Sequence, residues 1–364
     1  MAEARSSRDG KQGDAARLLL AAARDRFAAA ATDLLLPDQG RLTEWQRVTA
    51  GALLTRLVGA IEDDLRARLA ARFEDHAALH AALSSAHVPI ALPILERAQA
   101  LRDPELTALL VRRAEEHRFW TAHAAHGDGD FLHDLVRDAD DDIAAEAMEL
   151  VIGRARRFDR FQEPLLGEVE LPAELQHRLV WRIAAALRHY IVQHHRAGGV
   201  DAAVEETASA LIAGYDEGET LEARALRLAR RLDRAGRLDG ALLARSLGEG
   251  MLPFFLAGLA VRCGLDAGAA WEVLSDPRGR GPALLLRAGA IDRPDAAAIL
   301  LALASRGPLL SGAEEERTAA QLELYDTLDE AAARDVLRLW QANPAYRASV
   351  ARISTRSRAA AEAA

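Results

Sequence analysis

Apolar residues recur at three- and four-residue steps along most of this chain, and this spacing constrains the fold more than any other feature. An early example comprises Leu42, Trp45, Val48, Leu57, Ile61, Leu65, Leu69 and Phe73. An α-helix places residues three and four apart on one face, so the series predicts an amphipathic helix. No segment sustains the two-residue alternation that is typical of a strand. We therefore predict an all-α fold.

Prolines and acidic residues mark the predicted helix starts. Proline is tolerated in a first helical turn because the backbone N–H there has no intrahelical partner, and a carboxylate interacts favourably with the helix dipole. These signals predict helix starts at Asp103-Pro104-Glu105, at Pro172 to Glu174, at Pro294-Asp295 and at Asn343-Pro344. Glycines between these points predict helix ends, so the helices should be about 10 to 20 residues long.

The apolar composition predicts close packing of these helices. Hydrophobic residues make up 50% of the chain but aromatic residues only 5%, and the excess is alanine and leucine. Both residues lose little on entering a helix. Helix pairs recur about every 35 to 45 residues, as in HEAT-like helical hairpins. We predict HEAT-like hairpin repeats that form either a superhelix or two packed helical halves.

The same patterns predict the domain organisation. Residues 1–13 and 354–364 lack apolar periodicity, so we expect disordered ends. Between Phe158 and Leu171 the helical pattern is interrupted by Pro164 and Gly167. We therefore predict an N-terminal helical-repeat domain over residues 14–165 and a C-terminal helical domain over residues 166–353.

Two stretches carry a family resemblance. The first contains Val88-Pro89-Ile90, Pro93-Ile94-Leu95, Asp103-Pro104-Glu105-Leu106 and Glu115-Glu116-His117; the second contains Gly248-Glu249-Gly250, Phe254-Phe255 and Arg287-Ala288-Gly289. Together they resemble an uncharacterised HEAT-like helical family of alphaproteobacteria, a domain of unknown function. The resemblance implies a HEAT-like α-helical fold and no established activity.

Charge and cysteine content bear on the cellular setting. The net charge of -9 suits solubility and argues against a general polyanion-binding surface. The most apolar segment, Leu252 to Val261, is shorter than the roughly 18 residues that a membrane span requires. Cys263 is the one cysteine, so no internal disulfide can form. We predict a soluble, cytoplasmic protein without membrane contact.

Potential metal ligands are concentrated between Glu115 and His133. Histidine and carboxylate side chains are suitable ligands for zinc. The candidates are His117, His123, His126 and His133. Their spacing matches no recognised metal motif, and a polar loop between two helices explains it better. We therefore predict no bound metal and no cofactor.

A stripe of arginines lies at helical spacing further along the chain. Its candidate contacts for a partner or an anion are Arg224, Arg227, Arg231 and Arg234. A basic stripe on a helical array can hold a nucleic-acid backbone. Acidic residues such as Glu219, Glu222 and Asp233 lie nearby, so neutralisation on a solvated helix face is the favoured interpretation.

No catalytic motif is visible, which leaves function to the predicted architecture. The chain has no Gly-x-Ser-x-Gly and no glycine-rich phosphate loop. Stacked helical hairpins form grooves that suit a partner helix or peptide. We predict a non-enzymatic protein-interaction scaffold or regulatory adaptor with a protein partner. The alternatives are a HEAT-like protein that binds nucleic acid or a phosphate ligand, with or without repair-type activity, and a metal-dependent enzyme.

Overall fold

The computed structural model describes residues 42–85, 88–123, 131–158, 163–167, 170–276, 279–304, 312–343, 346–347, 349–350 and 353. Within these ranges the chain forms sixteen α-helices and no strand, so the predicted all-α fold is confirmed. The helices are α1 (Glu44–Arg72), α2 (Ala77–Ser84), α3 (Ala91–Arg97), α4 (Pro104–His123), α5 (Phe131–Val136), α6 (Asp141–Ala155), α7 (Ala173–His194), α8 (Val200–Ala213), α9 (Leu221–Arg234), α10 (Gly240–Gly248), α11 (Leu252–Cys263), α12 (Ala267–Leu274), α13 (Gly281–Ala288), α14 (Arg293–Ala304), α15 (Gly312–Thr327) and α16 (Glu330–Leu337).

Three of the four predicted helix starts are confirmed. Helix α4 begins at Pro104, and the Asp103 carboxylate accepts the backbone N–H groups of Glu105 at 3.1 Å and Leu106 at 3.3 Å. This is the usual N-cap geometry, which satisfies amides that have no partner inside the helix. Helices α7 and α14 begin next to their predicted prolines. The fourth start falls on Pro344, outside the described residues.

The hydrophobic core consists of two clusters that do not follow chain order. The first cluster joins α1, α2, α3, α7 and α8, and the second joins α5, α6 and helices from α9 to α16. Helix α4 contributes to both, with Leu106 and Leu110 in the first and Phe119 in the second. Helices α5 and α6 therefore pack with helices that follow α7 and α8. The division into domains of 14–165 and 166–353 stays a prediction, as does the HEAT-like repeat.

Two glycines allow neighbouring helices to approach closely in the second cluster. A Cβ atom on Gly281 would lie 1.7 Å from the carbonyl oxygen of Val273, so α13 starts directly against the end of α12. A Cβ atom on Gly258 would lie 2.3 Å from Cδ2 of Leu243, which places α11 close to α10. Neither approach leaves room for a larger side chain without rearrangement.

The most apolar helices lie inside the second cluster. Among the described residues, no single helix combines the length and the apolar character needed to cross a membrane; α11 and α12 meet that requirement only as a pair bent by 101°. Cys263, at the end of α11, is buried. Its Sγ donates to the carbonyl oxygen of Leu285 at 3.4 Å, and burial raises the pKa of the thiol to about 12.

Candidate functional site

The predicted arginine stripe lies on α9, and most of its members pair with α6. Arg224 is buried and contacts Glu149 and Glu219. Its neighbours continue the series, with Arg227 Nε 3.1 Å from Glu146 Oε2 and Arg231 Nη1 2.5 Å from Asp142 Oδ2. Arg234 Nε donates to the carbonyl oxygen of Arg230 at 3.2 Å. The acidic partners come mainly from a different helix, which the sequence analysis did not foresee. A contact with an anion or a partner at these arginines stays a prediction.

The predicted histidine tract is described only in part. His117 lies on α4 with its ring centroid 5.9 Å from that of Phe158, and burial lowers the pKa of its imidazole. His133 lies exposed on α5. The His126 position and the His123 side chain lie outside what the structure describes. The described residues contain no group of three or more histidine, cysteine or carboxylate side chains able to hold a metal ion.

A groove of about 560 Å³ lies between residues 82–85 and 88–97 on one side and the last turns of α7 on the other. Its apolar wall is formed by Val88, Pro89, Pro93 and Ile94. Pro93 lies in the first turn of α3, where its missing N–H leaves no helical hydrogen bond unmade. The groove thus lies over the motif that carries the family resemblance.

A buried ion pair on α1 holds this wall in place. The carboxylate of Glu62 accepts the backbone N–H groups of Ile90 at 2.7 Å and Ala91 at 2.9 Å, and Arg66 Nη1 lies 3.3 Å from Glu62 Oε1. The Arg66 guanidinium also donates to backbone carbonyl oxygens, including that of Leu83 at 2.9 Å and that of Val88 at 3.1 Å. Because both charges are buried and hydrogen-bonded, they hold the end of α2 and residues 88–91 against α1.

The rest of the groove lining is polar and basic. It includes Arg97, whose Nε donates to the carbonyl oxygen of Pro93 on the same helix at 3.0 Å, and His189, Tyr190 and His194 from α7, with the ring centroids of Tyr190 and His194 4.9 Å apart. Among the described residues that line the groove, none is acidic, although acidic residues outnumber basic ones by 55 to 46 in the whole chain. The groove therefore combines an apolar surface with donors and positive charge.

A second concentration of charge lies between the two core clusters. We call it the buried charge network, and its members are Arg112, Arg113 and Glu116 on α4, Arg157 and Glu170 in the connection before α7, and Glu222 on α9. Five of the six are less than 9% exposed. With three positive and three negative groups, the network is neutral when all are ionised.

Glu116 is the centre of the network. Its carboxylate contacts Arg112 Nε at 3.0 Å, Arg113 Nη1 at 2.6 Å and Arg157 Nη1 at 3.0 Å. Burial together with the charge of Glu222 raises the pKa of Glu170 to about 7. In the sequence, Glu116 falls within the tract of potential metal ligands, and no local pattern indicates its arginine partners. Only the motif Glu115-Glu116-His117 drew attention to the position.

These observations define an all-α protein with a basic groove and a buried charge network. A family model described as an uncharacterised protein conserved in bacteria (DUF2336) matches residues 90–338, about two thirds of the chain. The chain belongs to this family, which confirms its resemblance to an uncharacterised bacterial domain. Neither the curated proteins nor the solved structures contain a match to the chain.

Proposed function

We propose that this chain is a non-catalytic protein-interaction adaptor whose groove binds a short acidic segment of a partner protein. The observation that carries the proposal is the groove itself, which is lined both by apolar side chains and by Arg97, His189 and His194. Peptide recognition commonly combines apolar anchoring with a few charged contacts that fix orientation.

The size of the groove suits a few residues of a partner. Its volume of about 560 Å³ falls within the roughly 300–1,000 Å³ of typical ligand sites. The wall around Val88 is unusually open to solvent, since that side chain is 63% exposed. Burial of such an apolar side chain against a partner is favourable.

The charge of the groove defines the chemistry of the partner. Arg97 offers a planar set of donors that fits a carboxylate, and His189 and His194 add further donors. The described lining contains no acidic side chain to repel a carboxylate. The expected segment therefore carries aspartate or glutamate next to an apolar side chain.

Selection from a random peptide library displayed on phage tests this proposal with the full chain. We expect enrichment of peptides that contain an acidic residue beside leucine, isoleucine or phenylalanine. Arg97→Glu should weaken binding of a selected peptide at least about tenfold, because a charge-assisted hydrogen bond contributes about 1.5–3 kcal/mol.

Arg338→Glu is the matched control, since Arg338 is exposed and is not among the residues that line the groove. Binding by this variant should equal that of the wild type. Enrichment of neutral or basic peptides, or equal loss of binding in both variants, would contradict the proposal.

The nucleic-acid alternative has less support from the geometry. Its candidate contacts, Arg224, Arg227 and Arg231, are paired with carboxylates, so phosphate binding there would compete with existing ion pairs. A salt-sensitive gel shift with DNA or RNA that is abolished by Arg227→Glu with Arg231→Glu would favour this alternative over the adaptor.

The proposal includes a cytoplasmic setting, a HEAT-like arrangement and membership of an alphaproteobacterial branch of the family. A single buried cysteine and a net charge of -9 support the setting, and the predominance of short helices supports the arrangement. Fractionation of the native cells tests the cytoplasmic setting. An experimentally determined structure tests the HEAT-like arrangement, and a survey of the species that carry the family tests the alphaproteobacterial branch.

A further inference from the structure

A smaller cavity of about 40 Å³ lies beside the buried charge network. Its walls come from α4, the end of α6, residues 164 and 165, the start of α9 and residues 250–253. The cavity is distinct from the groove, because the two share no lining residue.

Two buried arginines in its lining have nitrogen atoms without a hydrogen-bond partner. Arg113 and Arg157 are 3% and 6% exposed, and within the described part of the chain the Nε atom of each lacks an acceptor. His117 Nδ1, also in the lining, is likewise buried and unpartnered among the described residues. A buried donor that has lost water and gained no acceptor destabilises the fold, so these atoms favour a bound acceptor.

The two arginines are close enough to serve one small ligand. Their Nη1 atoms both contact Glu116 Oε2, at 2.6 Å from Arg113 and 3.0 Å from Arg157. The described lining also includes Arg154. The charges of Arg113 and Arg157 are already compensated by Glu116, Glu170 and Glu222, so their two unpartnered Nε–H groups, rather than an excess of charge, favour a ligand with two acceptor oxygens such as a carboxylate.

The rest of the lining is apolar. The rings of Trp120 and Phe158 stack with centroids 4.4 Å apart, and Leu165, Met251 and Pro253 complete this side. An inorganic anion would leave the apolar surface without a partner, whereas an amphipathic anion would use both sides of the cavity.

We propose that this cavity binds a short-chain carboxylate whose oxygens accept hydrogen bonds from Arg113 and Arg157. The aliphatic end of the ligand packs against Trp120 and Phe158. Since one water needs about 10–15 Å³ by this measure, the cavity holds about three waters or a molecule as small as acetate or propionate.

Binding at this site couples the ligand to the fold. The cavity adjoins α4, which packs in both core clusters, and the network that joins α4 to α9. A ligand that binds only the folded chain stabilises it by mass action.

Titration of the full chain with sodium propionate, followed by saturation-transfer NMR of the ligand protons, tests the proposal. We expect a saturable signal with propionate and none with 1-propanol, which has the same number of carbons and no charge. Sodium chloride at equal ionic strength should not abolish the propionate signal. An absent or non-saturable propionate signal, or an equal signal with 1-propanol, would overturn the proposal in favour of a cavity that holds only water.

A pair of matched variants locates the signal. Leu165→Phe narrows the cavity from a connecting segment and should weaken propionate binding at least tenfold. Leu301→Phe makes the same change at an exposed position on α14 and should leave binding unchanged. Circular dichroism checks that both variants fold, and unchanged binding by a folded Leu165→Phe would overturn the proposal. Arg97→Glu in the groove should also leave propionate binding unchanged, so this test is independent of the peptide test.

Discussion

Replacing Glu116 with glutamine should destabilise the folded chain, because it leaves positive charge uncompensated in the buried charge network. The Glu116 carboxylate contacts three arginines within 3.0 Å, and all four side chains are less than 10% exposed. Glutamine keeps the shape of the side chain but removes its negative charge. Three buried arginines would then face only Glu170 and Glu222. We expect Glu116→Gln to lower the free energy of unfolding by about 3–5 kcal/mol, the usual cost of leaving a buried charge uncompensated.

An exposed ion pair provides the control for that magnitude. Arg68 Nε lies 3.1 Å from Asp64 Oδ1 on α1, with side chains 46% and 35% exposed. Water screens this pair, so Asp64→Asn should cost only about 0–1 kcal/mol. Urea denaturation followed by circular dichroism at pH 7.5 measures the change in the free energy of unfolding for both variants. The comparison requires that the slope of this free energy against urea concentration be the same for each variant.

A charge-balanced double variant separates lost charge from lost packing. Glu116→Met combined with Arg157→Met leaves Arg112 and Arg113 facing Glu170 and Glu222, so the network is neutral again. Apolar replacement of a buried pair is often neutral or stabilising, and the double variant should recover most of the loss. A cost below about 1 kcal/mol for Glu116→Gln, or a double variant less stable than Glu116→Gln, would refute the reasoning about uncompensated charge.

Three further predictions concern stability. Burial and the charge of Glu222 raise the pKa of Glu170 from 4.5 to about 7 in the folded chain, so its contribution to stability is complete below pH 4.5 and is lost as the pH rises through 7. Urea titrations between pH 4.5 and 8.5 should show that Glu170→Gln removes about 3 kcal/mol of this pH dependence, and an unchanged dependence of stability on pH would contradict the raised pKa. Gly281→Ala should lower the free energy of unfolding by about 3 kcal/mol or more, because the added Cβ would meet the Val273 carbonyl. Gly51→Ala on α1, where the added Cβ meets open space, should instead stabilise the fold by about 0.5–1 kcal/mol. Equal effects of the two variants in thermal unfolding would exclude the close approach of α12 and α13. Asp140→Ala should cost about 1 kcal/mol in the same assay because the carboxylate caps α6, and Asp140→Asn, which keeps the cap oxygen, should cost less.

Local signals in the sequence determined the helices. The Asp103-Pro104 start of α4 depends on hydrogen bonds between residues two and three apart, so a short window contains its cause. The burial of Cys263 likewise follows from the apolar run around it. The all-α class was predictable for the same reason, because three- and four-residue periodicity is itself a local property.

The tertiary structure decided which charges meet. Arg227 pairs with Glu146, 81 residues away, and Arg157 meets Glu222, 65 residues away. No local pattern encodes these distances, so the sequence predicted neutralising residues beside the arginine stripe, and Glu116 was only one member of a tract of potential metal ligands. The groove has the same origin, since the turns of α7 that carry His189 and Tyr190 face α3 only after both helices join one core cluster. The sequence by itself thus determined where helices form, because backbone capping and periodicity act over a few residues; packing across the chain alone determined the groove and the buried charge network, because their partners are distant in sequence.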